Sequence, residues 1–124
     1  VQIGSRFVAS QESSAHPAFK QEVIKAKEGD TQLTLKELAP VRLLKNKFFD
    51  DVMELYKTNP SKEQLIKLLG RARAKRGMFE GDLEDGELEI GQVAGLIHDI
   101  KPAAEIVTEI IEEFNVLNNK KVII

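Results

Sequence analysis

A glycine and a hydroxyl in succession, Gly4-Ser5, follow Val1-Gln2-Ile3 and precede Arg6-Phe7-Val8. Read as a short buried strand, a turn and a short helical segment, this order makes a phosphate cradle. A glycine has no Cβ, so its backbone can approach an anion closely. The N–H groups of Ser5 and Arg6 would point along the new helix at that anion, and the Ser5 hydroxyl adds a donor. The alternative is an ordinary turn after a strand. If the cradle is real, the chain opens within a functional site whose other parts lie upstream.

The other candidates each have a structural alternative. His16-Pro17 could touch a substrate, or simply begin a helix with the imidazole outside. His98, near the end of a short helix, would stabilise the negative end of the helix dipole. Neither histidine has a carboxylate at a spacing that makes a catalytic pair. Arg71, Arg73, Lys75 and Arg76 could bind a phosphorylated ligand, or form a solvated face opposite the acidic stretch from Glu80 to Glu89. That stretch lacks the ligand pattern of a calcium loop. Gly91-Gln92-Val93-Ala94-Gly95 leaves room for a planar ligand with Gln92 as a directional donor, or for a closely packed element; packing is the favoured reading.

Composition narrows the function classes. A net charge of −2 argues against a strongly basic nucleic-acid binder. There is no cysteine and there are only two histidines, so thiolate and histidine metal sites are not expected. The absence of cysteine fits a reducing compartment, and the expected location is cytoplasmic. No apolar run is long enough to span a bilayer. A hydrophobic content of 42% in 124 residues allows one domain with a real core.

The elements that would position these residues are mainly helical. Val1–Ile3 is the first strand candidate. Pro17 suits a first helical position, with Phe19, Val23 and Ala26 on one face, and Gly29-Asp30 as the stop. Thr31 to Leu35 alternates, with Leu33 and Leu35 on one side. Asn46 begins a helix with the stripe Phe48, Phe49, Val52, Met53, Tyr56. Ser61 and Gln64 form a capping box for a helix that could run past Gly70 to Arg76. Residues 77–90 read mostly as loop, and 91–100 as a short helix. Pro102 opens a final helix with Ile106, Val107, Ile110, Ile111 and Phe114 on one stripe.

In this order the signals resemble the nitronate monooxygenase (2-nitropropane dioxygenase) family and the related flavin-dependent enoyl-ACP reductases II. The resemblance runs through Val1 to Phe7, Glu12 to Pro17, Pro40-Val41-Arg42, Leu44-Lys45-Asn46, Glu80 to Leu83, Gly86, Gly91 to Ile97 and Lys101-Pro102. Family members more commonly carry Thr where this chain has Ser5, and the hydroxyl is retained. The resemblance implies the C-terminal part of an FMN-binding (β/α)8 TIM barrel, an α/β fold of which this stretch is the mainly α-helical portion. Residues 1–10 would be the last barrel strand and phosphate turn, 11–90 a helical insertion on the substrate side, and 91–124 the return to the barrel with its closing helix. FMN contacts are carried onto Gln2, Gly4, Ser5 and Gln92, with no metal. The family's catalytic histidine lies on an earlier loop, so no catalytic residue is expected in this stretch, and the stretch alone is expected to be inactive.

The expected activity is oxidation of nitronates with O2. Its alternative is NAD(P)H-dependent reduction of an enoyl thioester, with NAD(P)H as an added cofactor. The expected partners are such a small-molecule substrate and further copies of the protein as a homo-oligomer, without nucleic acid or membrane. A non-catalytic helical interaction module, and a nucleic-acid or anion binder using Arg71 to Arg76, are the readings from other classes.

Overall fold

A computed structural model describes residues 1–120. Its elements follow the order α1 (Ser5–Val8), α2 (Pro17–Lys25), β1 (Thr31–Thr34), β2 (Val41–Leu44), α3 (Lys47–Tyr56), α4 (Lys62–Leu69), α5 (Arg73–Met78), a 3₁₀ turn (Gln92–Leu96) and α6 (Ala103–Asn118). The chain is thus mainly helical. β1 and β2 pair antiparallel, with Thr31 opposite Leu44 and Thr34 opposite Val41.

Local chemistry explains where the helices start. Pro17 occupies the first turn of α2, and the His16 ring caps it, Nδ1 accepting from the Ala18 N–H at 3.1 Å. Asn46 caps α3 through Oδ1, which accepts from the Phe49 N–H at 2.9 Å. Its amide nitrogen donates to the carbonyls of Leu83 and Gly86, so one side chain ties α3 to the acidic loop. Both bonds of the Ser61–Gln64 capping box form. At the head of α6, the Glu12 carboxylate accepts from the Ala103 N–H at 2.8 Å, as a negative group at a helix start should.

Four residues of β2 divide the interior in two. Successive side chains of a strand point to opposite faces. Leu44 therefore joins Ala9, Phe19, Val23, Leu88, Ile90, Ala94 and Ile97 on one side. Leu43 joins Leu35, Phe48, Phe49, Val52 and Leu65 on the other. Phe19 and Phe48 are each 1% exposed, and burying a side chain of this size stabilises by about 1.5–3 kcal/mol.

Several expectations need correction. Val1–Ile3 forms no strand ladder among the described residues, and Val1 and Ile3 are exposed, because no neighbouring strand satisfies their backbone. Leu33 and Leu35 do not share a face: Leu35 takes φ +52 at the strand end and folds under, leaving Leu33 exposed and Thr34 buried. β2, just after Pro40, is not among the expected elements. The α4 helix stops at Gly70, where φ +65 and ψ −156 leave helical space, and Ala72 is left-handed before α5 begins. Residues 91–100 give only the 3₁₀ turn. In α6 only Ile106 is buried, while Val107, Ile111 and Phe114 are exposed.

Candidate cofactor and substrate site

The first and tenth decades of the sequence meet at one hydrogen bond. Ser5 Oγ accepts from the Gly91 N–H at 2.9 Å. A Cβ on Gly91 would lie 2.7 Å from that oxygen, so the contact needs glycine there. Because Ser5 accepts, its own O–H remains available to donate outward. Gly4 has ordinary right-handed geometry, φ −83 and ψ −61, so its backbone does not require glycine. A Cβ at Gly4 would meet nothing within 4 Å. Nothing among the described residues therefore requires glycine at that position, which faces open space. The N–H groups of Ser5 and Arg6 donate to no backbone acceptor among the described residues, as expected for a first helical turn. Open space, unsatisfied N–H groups and a free hydroxyl proton fit an anion, and so fit a flavin phosphate.

Of the other residues expected to contact the cofactor, Gln92 is brought to this place by following Gly91, and it is exposed. Gln2 is exposed on the unpaired N-terminal segment. Arg6 is not free for a ligand. Its guanidinium donates to the Ala9 and Asp99 carbonyls and pairs with Asp99 at 2.6 Å.

β2 reaches the same place. The Ile90 N–H donates to the Arg42 carbonyl, and the Leu44 N–H to the Leu88 carbonyl. Arg42 consequently lines two clefts. A shallow one of about 350 Å³ contains Ser5, Glu89 and Gly91. A larger one of about 670 Å³ contains Thr31, Gln92, Gly95 and Leu96. Sequence reasoning did not single out the Arg42 side chain; the available signal was a lone guanidinium in the apolar run Val41 to Leu44.

The remaining candidates are structural. His16 caps α2 and packs against Gly81, where a Cβ would come within 2.6 Å of the imidazole. His98 is exposed and lies beyond the 3₁₀ turn, so it serves no helix dipole. Arg73 donates to the Leu68, Leu69 and Asp85 carbonyls and stacks 4.4 Å over Phe48. Arg76 pairs with Asp82 at 2.6 Å, and Lys75 with Glu80 at 3.4 Å. Arg73, Lys75 and Arg76 thus brace the acidic loop. Together, the Asp85 N–H and Arg76 hold the Asp82 carboxyl below its usual range. Gly95 lies against the backbone of Lys27 and Glu28, with a Cβ position 3.1 Å from the Glu28 nitrogen, so this glycine serves close packing. Among the described residues no cluster of histidine, aspartate or glutamate could hold a metal, and no helix is long and apolar enough to cross a membrane.

The sequence profile of the nitronate monooxygenase family matches residues 1–113. The chain belongs to this family. It is 32% identical over 93 residues to a probable nitronate monooxygenase of Bacillus subtilis (strain 168), covering 74% of this chain and 26% of that protein. Among solved structures it resembles FabK from Thermotoga maritima, with TM-score 0.83, 39% identity, and coverage of 97% of this chain and 38% of FabK. A point mutant of the same FabK gives TM-score 0.79 and 38% identity, covering 97% of this chain and 35% of the mutant. The chain thus spans between a quarter and two fifths of the length of these relatives. The match places the chain in the nitronate monooxygenase and FabK superfamily and includes both Ser5 and Gly91.

Proposed function

We propose that the full-length protein containing this stretch is an FMN-dependent oxidoreductase that oxidises nitronates with O2. The observation that carries this reading is the turn at Gly4-Ser5, where Ser5 Oγ accepts from the Gly91 N–H and open space lies beside Gly4. Bound FMN would supply the redox chemistry, accepting an electron pair from one substrate and passing it to another. Ser5 would donate its hydroxyl to the flavin phosphate while Gly91 fixes the oxygen's position. Gly4 would leave the anion room, and the N–H groups of Ser5 and Arg6 would face it. Gln92 and Gln2 would add directional hydrogen bonds from the exposed side. Within this reading the stretch forms the C-terminal portion of a TIM barrel, and the proton-transfer residue lies outside it. His16 and His98 have the structural positions described above and take no part in the reaction.

The likeness to FabK favours a second reading, since it extends over 97% of the chain at 39% identity. In that reading NAD(P)H is the electron source and an enoyl thioester is reduced. A side-by-side assay of the full-length protein separates the two: oxygen uptake with a nitronate, against NAD(P)H oxidation with crotonyl-CoA. Turnover in neither assay, together with absence of bound flavin, would refute both.

A further inference from the structure

Arg42 is the guanidinium whose charge the described residues leave unanswered within a cleft. Arg6 and Arg76 each pair with an aspartate, and Arg73 is saturated by three carbonyls. Arg42 makes only two long bonds from one nitrogen, Nη1 to the Thr31 carbonyl at 3.4 Å and to its hydroxyl at 3.3 Å. No carboxylate lies within ion-pair distance of it among the described residues. Glu28, on the rim of the same cleft, is exposed and unpaired with it. Arg42 is itself only half-exposed. Its backbone is fixed on both sides, by the pairing with Leu33 in β1 and by the bond from Ile90.

A half-buried guanidinium with its Nε and Nη2 donors unused presents a fork suited to a phosphate or carboxylate. The surrounding cleft of about 670 Å³ is large enough for part of a nucleotide-sized ligand. The Thr31 hydroxyl lies against the guanidinium at 3.3 Å, and Gln92, Val93 and Leu96 also line the cleft. Ser5 does not line this cleft; it lines the shallow one, together with Arg42, Glu89 and Gly91.

We propose that the Arg42 cleft is a second phosphate site, separate from the Gly4-Ser5 turn, which holds the phosphate of the reacting partner rather than that of the flavin. The site follows from Arg42 and its cleft; the identity of the ligand rests on the second, NAD(P)H-dependent reading, since a nitronate and O2 carry no phosphate. The ligand class is an organic phosphate, with two sources: the pyrophosphate of a nicotinamide dinucleotide, or the phosphates of an acyl-CoA or phosphopantetheine thioester. Arg42 is in either case a binding residue, and takes no part in moving electrons.

The test uses the full-length protein and its Arg42→Gln and Arg42→Lys variants. Inorganic pyrophosphate is titrated by calorimetry, with flavin content and thermal stability recorded for each protein. Losing hydrogen bonds to a charged group predicts an affinity for pyrophosphate about ten- to a hundredfold weaker in Arg42→Gln, with flavin content retained. Arg42→Lys, which keeps charge but loses the fork, should fall between the two, and it carries the test if Arg42→Gln does not fold. The KM for a phosphate-bearing substrate should rise at least about tenfold more than that for crotonyl-N-acetylcysteamine, which lacks phosphate. A rise confined to NAD(P)H identifies the dinucleotide, and one confined to crotonyl-CoA identifies the thioester. Unchanged pyrophosphate affinity, or a KM rise equal with and without phosphate, overturns the proposal. So does loss of flavin in parallel with pyrophosphate, which would assign Arg42 to the flavin phosphate itself. If the protein holds no flavin, the pyrophosphate titration still decides the site.

Discussion

Replacing Glu87 with glutamine should flatten the pH dependence of stability between pH 4.5 and 7. Burial pushes the Glu87 carboxyl up to about 7, the nearby Glu89 carboxylate adds to this, and Arg73 opposes it. A carboxyl raised on folding holds its proton in the native state where the unfolded chain has released it. Stability is then fully present below pH 4.5 and is lost as the pH climbs through 7. The interval from 4.5 to about 7 corresponds to ~3 kcal/mol. The residue as a whole is 7% exposed, yet its carboxyl is only partly withdrawn from solvent. The carboxyl's own surroundings govern its screening, which reduces the effect to roughly 1–2 kcal/mol. Chemical denaturation of the full-length protein and its Glu87→Gln variant, at half-unit steps from pH 4 to 8, measures it. The variant should gain stability relative to the parent as pH rises, because glutamine cannot ionise. Parallel pH curves for the two proteins would show that Glu87 keeps its ordinary proton affinity, and the argument from burial would fail.

Four further outcomes follow from the same geometry. Gly86→Ala would place a methyl 2.2 Å from the Asp82 carbonyl and 2.3 Å from the Gly77 Cα, so it should destabilise by about 3 kcal/mol or more in a denaturant melt. Gly4→Val should reduce flavin retention, and Ser5→Ala should reduce it less, by about 1.5–3 kcal/mol; flavin fluorescence during dialysis reads both, and unchanged retention in Gly4→Val would remove the phosphate turn. His16→Ala should lower stability by about 1 kcal/mol through the lost cap, and His98→Ala should change little. Stopped-flow flavin reduction should remain within a small factor of the parent for both histidine variants. Residues 1–124 made alone should self-associate, since Val107, Ile111, Phe114 and Leu117 leave an apolar face uncovered, and sedimentation that shows a stable monomer would contradict this.

Signals that act over one turn were legible in the sequence. Pro17, Asn46 and the Ser61–Gln64 pair each mark a helix start, because a cap involves only residues two or three apart. The helical stripe of α3 was legible for a similar reason, since its apolar spacing is local. β2 was not, because a four-residue run after Pro40 becomes a strand only by pairing with β1 and with Glu89. The stripe of α6 was readable as a pattern, but the pattern does not say what covers it. At the candidate site, Gly4, Ser5 and Gln92 could be named from type and order. Their meeting through Gly91 joins positions 86 apart, which no local pattern encodes. The same holds for Arg42 and Glu87. A guanidinium or carboxyl becomes chemically distinctive when distant segments remove its water and its partners.

The bond from the Leu44 N–H to the Leu88 carbonyl has an evolutionary consequence. At 2.9 Å it closes residues 45–87 into an excursion that leaves and returns at one point. The cost of closing a loop rises only slowly with its length. Relatives can therefore enlarge, trim or exchange that excursion while Ser5, Gly91 and Arg42 keep their places, provided that new side chains shelter Leu35 and Leu43. The architecture sets Ser5, Gly91 and Arg42 apart from a part whose length can vary, so substrate range can change without rebuilding the two proposed anion sites.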